Sequence, residues 1–242
     1  MDPVEGVIIV LVALVASTLA AVTGFGASLL LLPVLTWSFG VRDAVPMLAV
    51  VQICTNLARV GLNREDIVLP VARRFSMGSV PAAIIGGIVF AAAPASALGR
   101  LIGVFMILSV IFRHTAPGRR LKVSRESFLP LGAAFGFIDA LVGSAGPIQA
   151  PFFLAAGLTG AAYIGTEALA SVVMQGTKLA VYGGFSLVSW TAIVYGLAIG
   201  AVMFAGSYIG RGIVRRISPG RFSLIIEGML LIAGVILIAG VT

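Results

Sequence analysis

The chain has 242 residues, of which 60% are hydrophobic and only 10% charged, with a formal net charge of +7 and a mean hydropathy of +1.13. An ordinary soluble domain carries about 25% charged residues, so this composition excludes a soluble globular enzyme or binding module and marks an integral membrane protein. The positive charges sit in short loops between apolar stretches, where orientation in a bilayer accounts for them without a nucleic-acid partner.

The first apolar run, 4–39, is preceded by Asp2 and Glu5 and by no Lys or Arg, unlike a secretory leader, and is expected to remain as a membrane segment. Further runs cover 43–62, 70–92, 97–112, 127–158, 160–184, 188–210 and 221–241. Two runs are too long. At 1.5 Å per residue, 4–39 would make a helix of roughly 54 Å and 127–158 one of roughly 48 Å, against a bilayer core of about 30 Å. Each carries its own interruption, TGFGAS at 23–28 and GSAGPIQ at 143–149. These read as helix breaks. Between 112 and 127 lies RHTAPGRRLKVSRE (113–126), the most polar segment of the chain.

The two interruptions lie about 120 residues apart, and ICTNLARVG (53–61) aligns with QGTKLAVYG (175–183) at an offset of 122. GR at 99–100 recurs at 220–221, each time opening the last helix of its half. The chain therefore reads as a duplication: a first membrane repeat over 1–115, a basic cytoplasmic linker at 116–126 and a second membrane repeat over 127–242.

Charge chooses the topology. With every run crossing once and the N-terminus inside, the Lys and Arg of the loops divide eight inside to six outside. If 127–158 instead folds back at GSAGP, Arg211, Arg215, Arg216 and Arg221 join the cytoplasmic side and the division becomes twelve to two, as the positive-inside rule expects. The duplication extends the same fold-back to the first long run. Each half then has one re-entrant hairpin of a broken helix plus three transmembrane helices. Three crossings insert the second half upside down relative to the first, so the expected fold is an all-α polytopic membrane protein of two inverted-topology repeats, a design common among secondary transporters.

Irregular backbone at membrane depth survives only where it is buried in protein or lines a wet cavity. The glycine-rich breaks at Gly24, Gly26 and Ser28 and at Gly143, Ser144 and Gly146 place free amides at new helix N-termini, and Pro147 suits a first turn. Two such N-termini facing one cavity make an anion site; a packing device or a kink is the plainer reading. Polar stripes follow. Gln52, Thr55, Asn56, Arg59 and Asn63 share one face of 43–62, and Glu167, Ser171, Gln175, Lys178 and Tyr182 share one face of 160–184. Lys178 would either neutralise a bound anion or snorkel to the outer interface. Asp139 is an intramembrane carboxylate whose counterpart in the first half is the apolar Ala20. It is the candidate for proton coupling, or else a structural partner for Lys178, Arg59 or free amides. Glu167 is a second, weaker coupling candidate nearer the cytoplasmic face, where pairing with a loop Arg is expected. The GxxxG spacings Gly99/Gly103, Gly196/Gly200 and Gly206/Gly210 read as packing within the chain.

Enzymatic readings fare poorly. The only histidine, His114, lies in the polar linker, so no Ser/His pair forms within the membrane, and no Cys/His cluster offers a metal site. No cofactor is expected. With no phosphate-loop pattern, active transport must draw on an ion gradient.

AAVTGFGASLLLLPVL (20–35), its partner DALVGSAGPIQAPFFL (139–154) and the basic linker between two halves resemble the TauE/SafE family, the sulfite and organosulfonate exporters of bacterial inner membranes. GFGAS and GSAGP each carry fewer glycines than the fuller family pattern. The resemblance implies a multi-pass inner-membrane secondary transporter of small sulfur-containing anions such as sulfite or sulfonates. A passive anion channel, a carboxylate transporter and, less fittingly, a scaffold subunit are the alternatives, and a homo-oligomer is left open. The expected substrate site has Gly24, Gly26, Ser28, Gly143, Ser144 and Gly146 at the tips and Gln52, Asn56, Gln175 and Lys178 as walls, with Phe25 and Phe152 as gates or packing.

Overall fold

The computed structural model describes residues 3–23, 27–115, 123–213 and 219–239. Among the described residues there are nine α-helices and no strand: α1 (Pro3–Thr23), α2 (Ala27–Leu62), α3 (Leu69–Ala92), α4 (Ala95–Thr115), α5 (Phe128–Val142), α6 (Gly146–Ala155), α7 (Gly160–Gly184), α8 (Trp190–Ile213) and α9 (Pro219–Ala239). By length and apolar composition, Leu30–Leu62, Leu69–Ala92 and Ala95–Phe112 each suffice to cross a membrane. Helix α4 runs on through His114, which the sequence places in the linker.

Of the two expected breaks, the second is present between α5 and α6, and the first falls on undescribed residues between α1 and α2. Helix α1 ends at Thr23 and α2 begins at Ala27, while Gly24, Phe25 and Gly26 lie outside the described residues. Helices α5, of 15 residues, and α6, of 10, are roughly 22 Å and 15 Å long, so neither alone spans a core of about 30 Å. Within α2, Gly40 takes φ 74° and ψ 162° and divides the helix into 27–39 and 41–62. No side chain crowds that position, so glycine is required there by backbone conformation alone. The matching turn in the second half lies between α6 and α7, where Gly157 and Gly160 have φ of 84° and 54°.

Helix α3 packs on α5 and α7, and α8 packs on α1 and α2; α2 also meets α7, and α4 meets α9. Matching α1 to α5, α2 to α6 with α7, α3 to α8 and α4 to α9 maps this set of contacts onto itself. Local ties follow the same exchange. Asp43, just after the Gly40 break, accepts the Ser189 hydroxyl at 2.9 Å before α8, and Thr166, early in α7, accepts the Val68 amide at 2.9 Å before α3. Helices α2 and α7 run antiparallel, since Gln52 meets Gln175 and Arg59 meets Glu167. So do α4 and α9, where Gly99 lies by Leu237 and Ile107 by Gly234.

Small residues set the closest approaches. A Cβ on Gly78 would lie 2.0 Å from the Leu129 carbonyl oxygen, and one on Gly132 2.1 Å from that of Phe75, so α3 and α5 touch backbone to backbone. Gly103 faces the backbone of Gly234, Gly196 and Gly200 face Val50 and Cys54, and Gly206 faces Ser17. Gly99, Gly103, Gly196, Gly200 and Gly206 thus serve packing within the chain; in lipid, where apolar burial drives little association, such close contact is a main attraction between helices. Polarity is inverted relative to a soluble protein. Asp139, Gln175 and Lys178 are buried, whereas Leu11, Ile85, Leu197 and Trp190 face outward, as a lipid surround requires.

Candidate functional site

The break after α5 is built by Gly143. Its φ of 83° is left-handed, and its N–H donates to the Asp139 carbonyl at 2.8 Å, closing the helix. The chain then passes through Ser144 and Ala145 and restarts as α6 at Gly146, with Pro147 in the first turn. Asp139 lies in the last turn of α5, so its side chain reaches across the break. Carboxylate oxygen Oδ2 accepts the Ala145 amide at 2.7 Å. Oδ1 accepts Gln175 Nε2 at 3.1 Å and the Lys178 ammonium. Gln175 and Lys178 are three residues apart on α7 and share a face. From α2, Gln52 Nε2 donates to the Gly143 carbonyl at 2.9 Å, and Gln52 Oε1 accepts Gln175 Nε2 at 3.0 Å. Helices α5 and α7 and the amide ahead of α6 therefore meet at one carboxylate, and α2 joins them through Gln52.

Asp139 is 1% exposed, and Gln175 and Lys178 are 0% exposed. Removing each ion from water costs several kcal/mol, offset only where the pair is close and its remaining valences are bonded. Three donors on one carboxylate meet that requirement. Lys178 accordingly does not snorkel to the interface, and its charge is matched by Asp139 rather than left open. Of the amides expected to be free at the α6 N-terminus, that of Ala145 is bound by Asp139. The two breaks also meet directly: the Ser28 hydroxyl, in the first turn of α2, lies 2.6 Å from the Ser144 hydroxyl.

A second polar cluster lies about two turns along the seam between α2 and α7. Arg59 Nη1 is 3.2 Å from Glu167 Oε2 and donates to Asn56 Oδ1 at 3.0 Å. Glu167 Oε1 accepts Gln149 Nε2 at 2.9 Å and Ser171 Oγ at 2.8 Å. Asn56 and Glu167 thus belong together, apart from the Asp139 cluster. The Arg that pairs with Glu167 comes from a helix rather than a loop. Thr55 bonds only to carbonyls of its own helix, at Val51 and Gln52. Phe152 is packed between Phe112 and Phe135, with ring centroids 6.3 Å and 5.5 Å away.

Gln149 is absent from the sequence-based set of site residues although it is 1% exposed and bonded to Glu167. Its signal is that it is the sole polar side chain on α6. Among the described residues, no three His, Cys, Asp or Glu side chains gather as metal ligands.

A family model described as Sulfite exporter TauE/SafE matches residues 9–237, from within α1 to within α9. No curated protein and no solved structure matches the chain. Over nearly its whole length, including both helix breaks and the Asp139–Lys178 pair, the chain belongs to the sulfite exporter TauE/SafE family.

Proposed function

We propose that this protein is a multi-pass secondary transporter of the bacterial inner membrane that exports a small sulfur-containing oxyanion, sulfite or an organosulfonate. The observation that carries this reading is the convergence of amide, glutamine and ammonium donors at the break between α5 and α6, where Asp139 holds Ala145 N–H, Gln175 and Lys178. Such a donor set, buried and fixed, is what a tetrahedral or pyramidal oxyanion needs. The Ser28–Ser144 contact brings the start of the other broken helix to the same place. Gly24, Gly26, Ser28, Gly143, Ser144 and Gly146 then serve as tips, with Gln52, Gln175 and Lys178 as walls and Asp139 as the coupling carboxylate. Asn56 and Glu167 act with Arg59 at the more accessible end of the seam.

The architecture proposed for this work is two inverted repeats, 1–115 and 127–242, joined by a basic cytoplasmic linker at 116–126. Its support is that the contacts of α3 with α5 and α7, of α8 with α1 and α2, of α2 with α7 and of α4 with α9 survive exchange of the halves, together with the antiparallel course of α4 and α9. Inverted repeats place a substrate site near the midplane and allow it to face either side in turn.

Thermal unfolding of the detergent-purified protein tests the substrate class. A ligand that binds only the folded state raises Tm with its concentration. Sulfite, thiosulfate, isethionate, sulfoacetate and taurine are compared with matched carboxylates. The expected result is stabilisation by a sulfur oxyanion that Lys178→Ala abolishes. Stabilisation by carboxylates alone, or a shift that survives Lys178→Ala, would overturn the assignment.

A further inference from the structure

The carboxylate of Asp139 occupies the donor set that the proposed substrate would use. Its two oxygens take the α6 amide of Ala145 on one side and the Gln175 amide and Lys178 ammonium on the other. A sulfonate, or sulfite in its singly protonated form, presents the same charge and a similar pair of acceptor oxygens. One ammonium cannot serve two anions at this depth: with Asp139 ionised, an added anion would bring an uncompensated buried charge. We infer that Asp139 is a tethered competitor for the anion site, displaced only when it takes up a proton, so that proton and anion bind together. This rests on the anion-transport reading above.

The step balances simply. A proton from the aqueous side adds to the Asp139 carboxylate, which becomes neutral; Lys178 remains an ammonium, and the entering anion restores the pair. A protonated Asp139 needs an acceptor for its new O–H, and Gln175 offers one. Its Oε1 is fully buried without a hydrogen-bond partner, on the same side chain whose Nε2 touches Asp139.

The groups facing Asp139 are few. Helix α7 contributes Lys178 and Tyr182, whose hydroxyl donates to the Ala140 carbonyl. Helix α2 contributes the neutral Gln52, hydrogen-bonded to Gln175 and to the Gly143 carbonyl, and α6 contributes the Ala145 amide ahead of its first turn. The titratable side chains of α3, Arg73 and Arg74, lie in its opening turns, away from the stretch from Ser79 to Gly86 that packs on the second half of α5. Arg59 and Glu167 are paired with each other further along the seam.

Binding to the full-length protein tests this, with isethionate and methanesulfonate as probes because both are monoanions that do not titrate between about pH 5 and 8. For the unaltered protein, affinity should rise by up to about tenfold for each unit of falling pH, and calorimetry in buffers of different ionisation enthalpy should count close to one proton taken up per anion. Asp139→Asn should bind the same probe with affinity independent of pH, at least tenfold tighter than the unaltered protein at pH 8. It should also gain more in Tm from that probe. Proton release, or no proton exchange, on binding to the unaltered protein would overturn the inference while leaving an anion site in place. So would an Asp139→Asn variant that folds and binds no more tightly. Failure of both probes on both proteins would overturn the inference and remove its main support, the anion site, with it.

Discussion

Lys178 and Asp139 depend on each other because neither is hydrated where it sits. Lys178→Met should destabilise the protein by about 3–5 kcal/mol, by leaving the Asp139 carboxylate buried and uncompensated. The double variant Asp139→Asn/Lys178→Met should recover most of that loss, since it removes both charges, yet bind no anion. A Tm series on the purified single and double variants checks this, and a double variant as unstable as Lys178→Met would mean that the pair is not the source of the effect. Both charges are legible in the sequence as ionisable groups inside apolar runs. Their pairing is legible only as one option among Lys178, Arg59 and free amides for Asp139, because they lie 39 residues apart on different helices and a polar stripe on α7 does not choose between partners. Gln149 goes unmarked for a related reason: a single glutamine in a short apolar segment has no periodicity to reveal which face it occupies.

At the scale of elements, the breaks carry the organisation. Length arithmetic requires them, since no helix of roughly 48 Å or more fits a core of about 30 Å, and the glycine-rich motifs place them; the gap between runs 4–39 and 43–62 coincides with the left-handed Gly40. What the sequence does not supply is which helices become neighbours. Small-residue spacing permits close approach without specifying to whom, so the backbone contact between α3 and α5, through Gly78 and Gly132, emerges only in three dimensions. That contact has no room for a side chain. Gly132→Val should destabilise by about 1–3 kcal/mol or more through overpacking, whereas Gly61→Ala, at a position with nothing within 4 Å of an added Cβ, should be nearly neutral. Comparison of folded yield and Tm for the two variants checks the claim, and equal behaviour would contradict the packing described.

Among the described helices, α3 meets α5 and α7 as α8 meets α1 and α2, and a polar seam runs between α2 and α7. The proposed duplication rests on matched motifs and the proposed inversion on loop charge. The convergence of both breaks on one point requires the assembled fold, in which Ser28 and Ser144 touch across 116 residues of chain. That convergence is the central claim, and reversible cross-linking tests it most directly. With Cys54 replaced by Ala, the Ser28→Cys/Ser144→Cys variant is reconstituted in liposomes and thiosulfate flux is followed before oxidation, after it and after reduction. The account predicts a disulfide between the two positions, flux arrested by oxidation, and recovery on adding reductant. Failure of the two cysteines to cross-link, or a disulfide that forms while flux continues unchanged, would contradict a shared transport site at the two helix breaks.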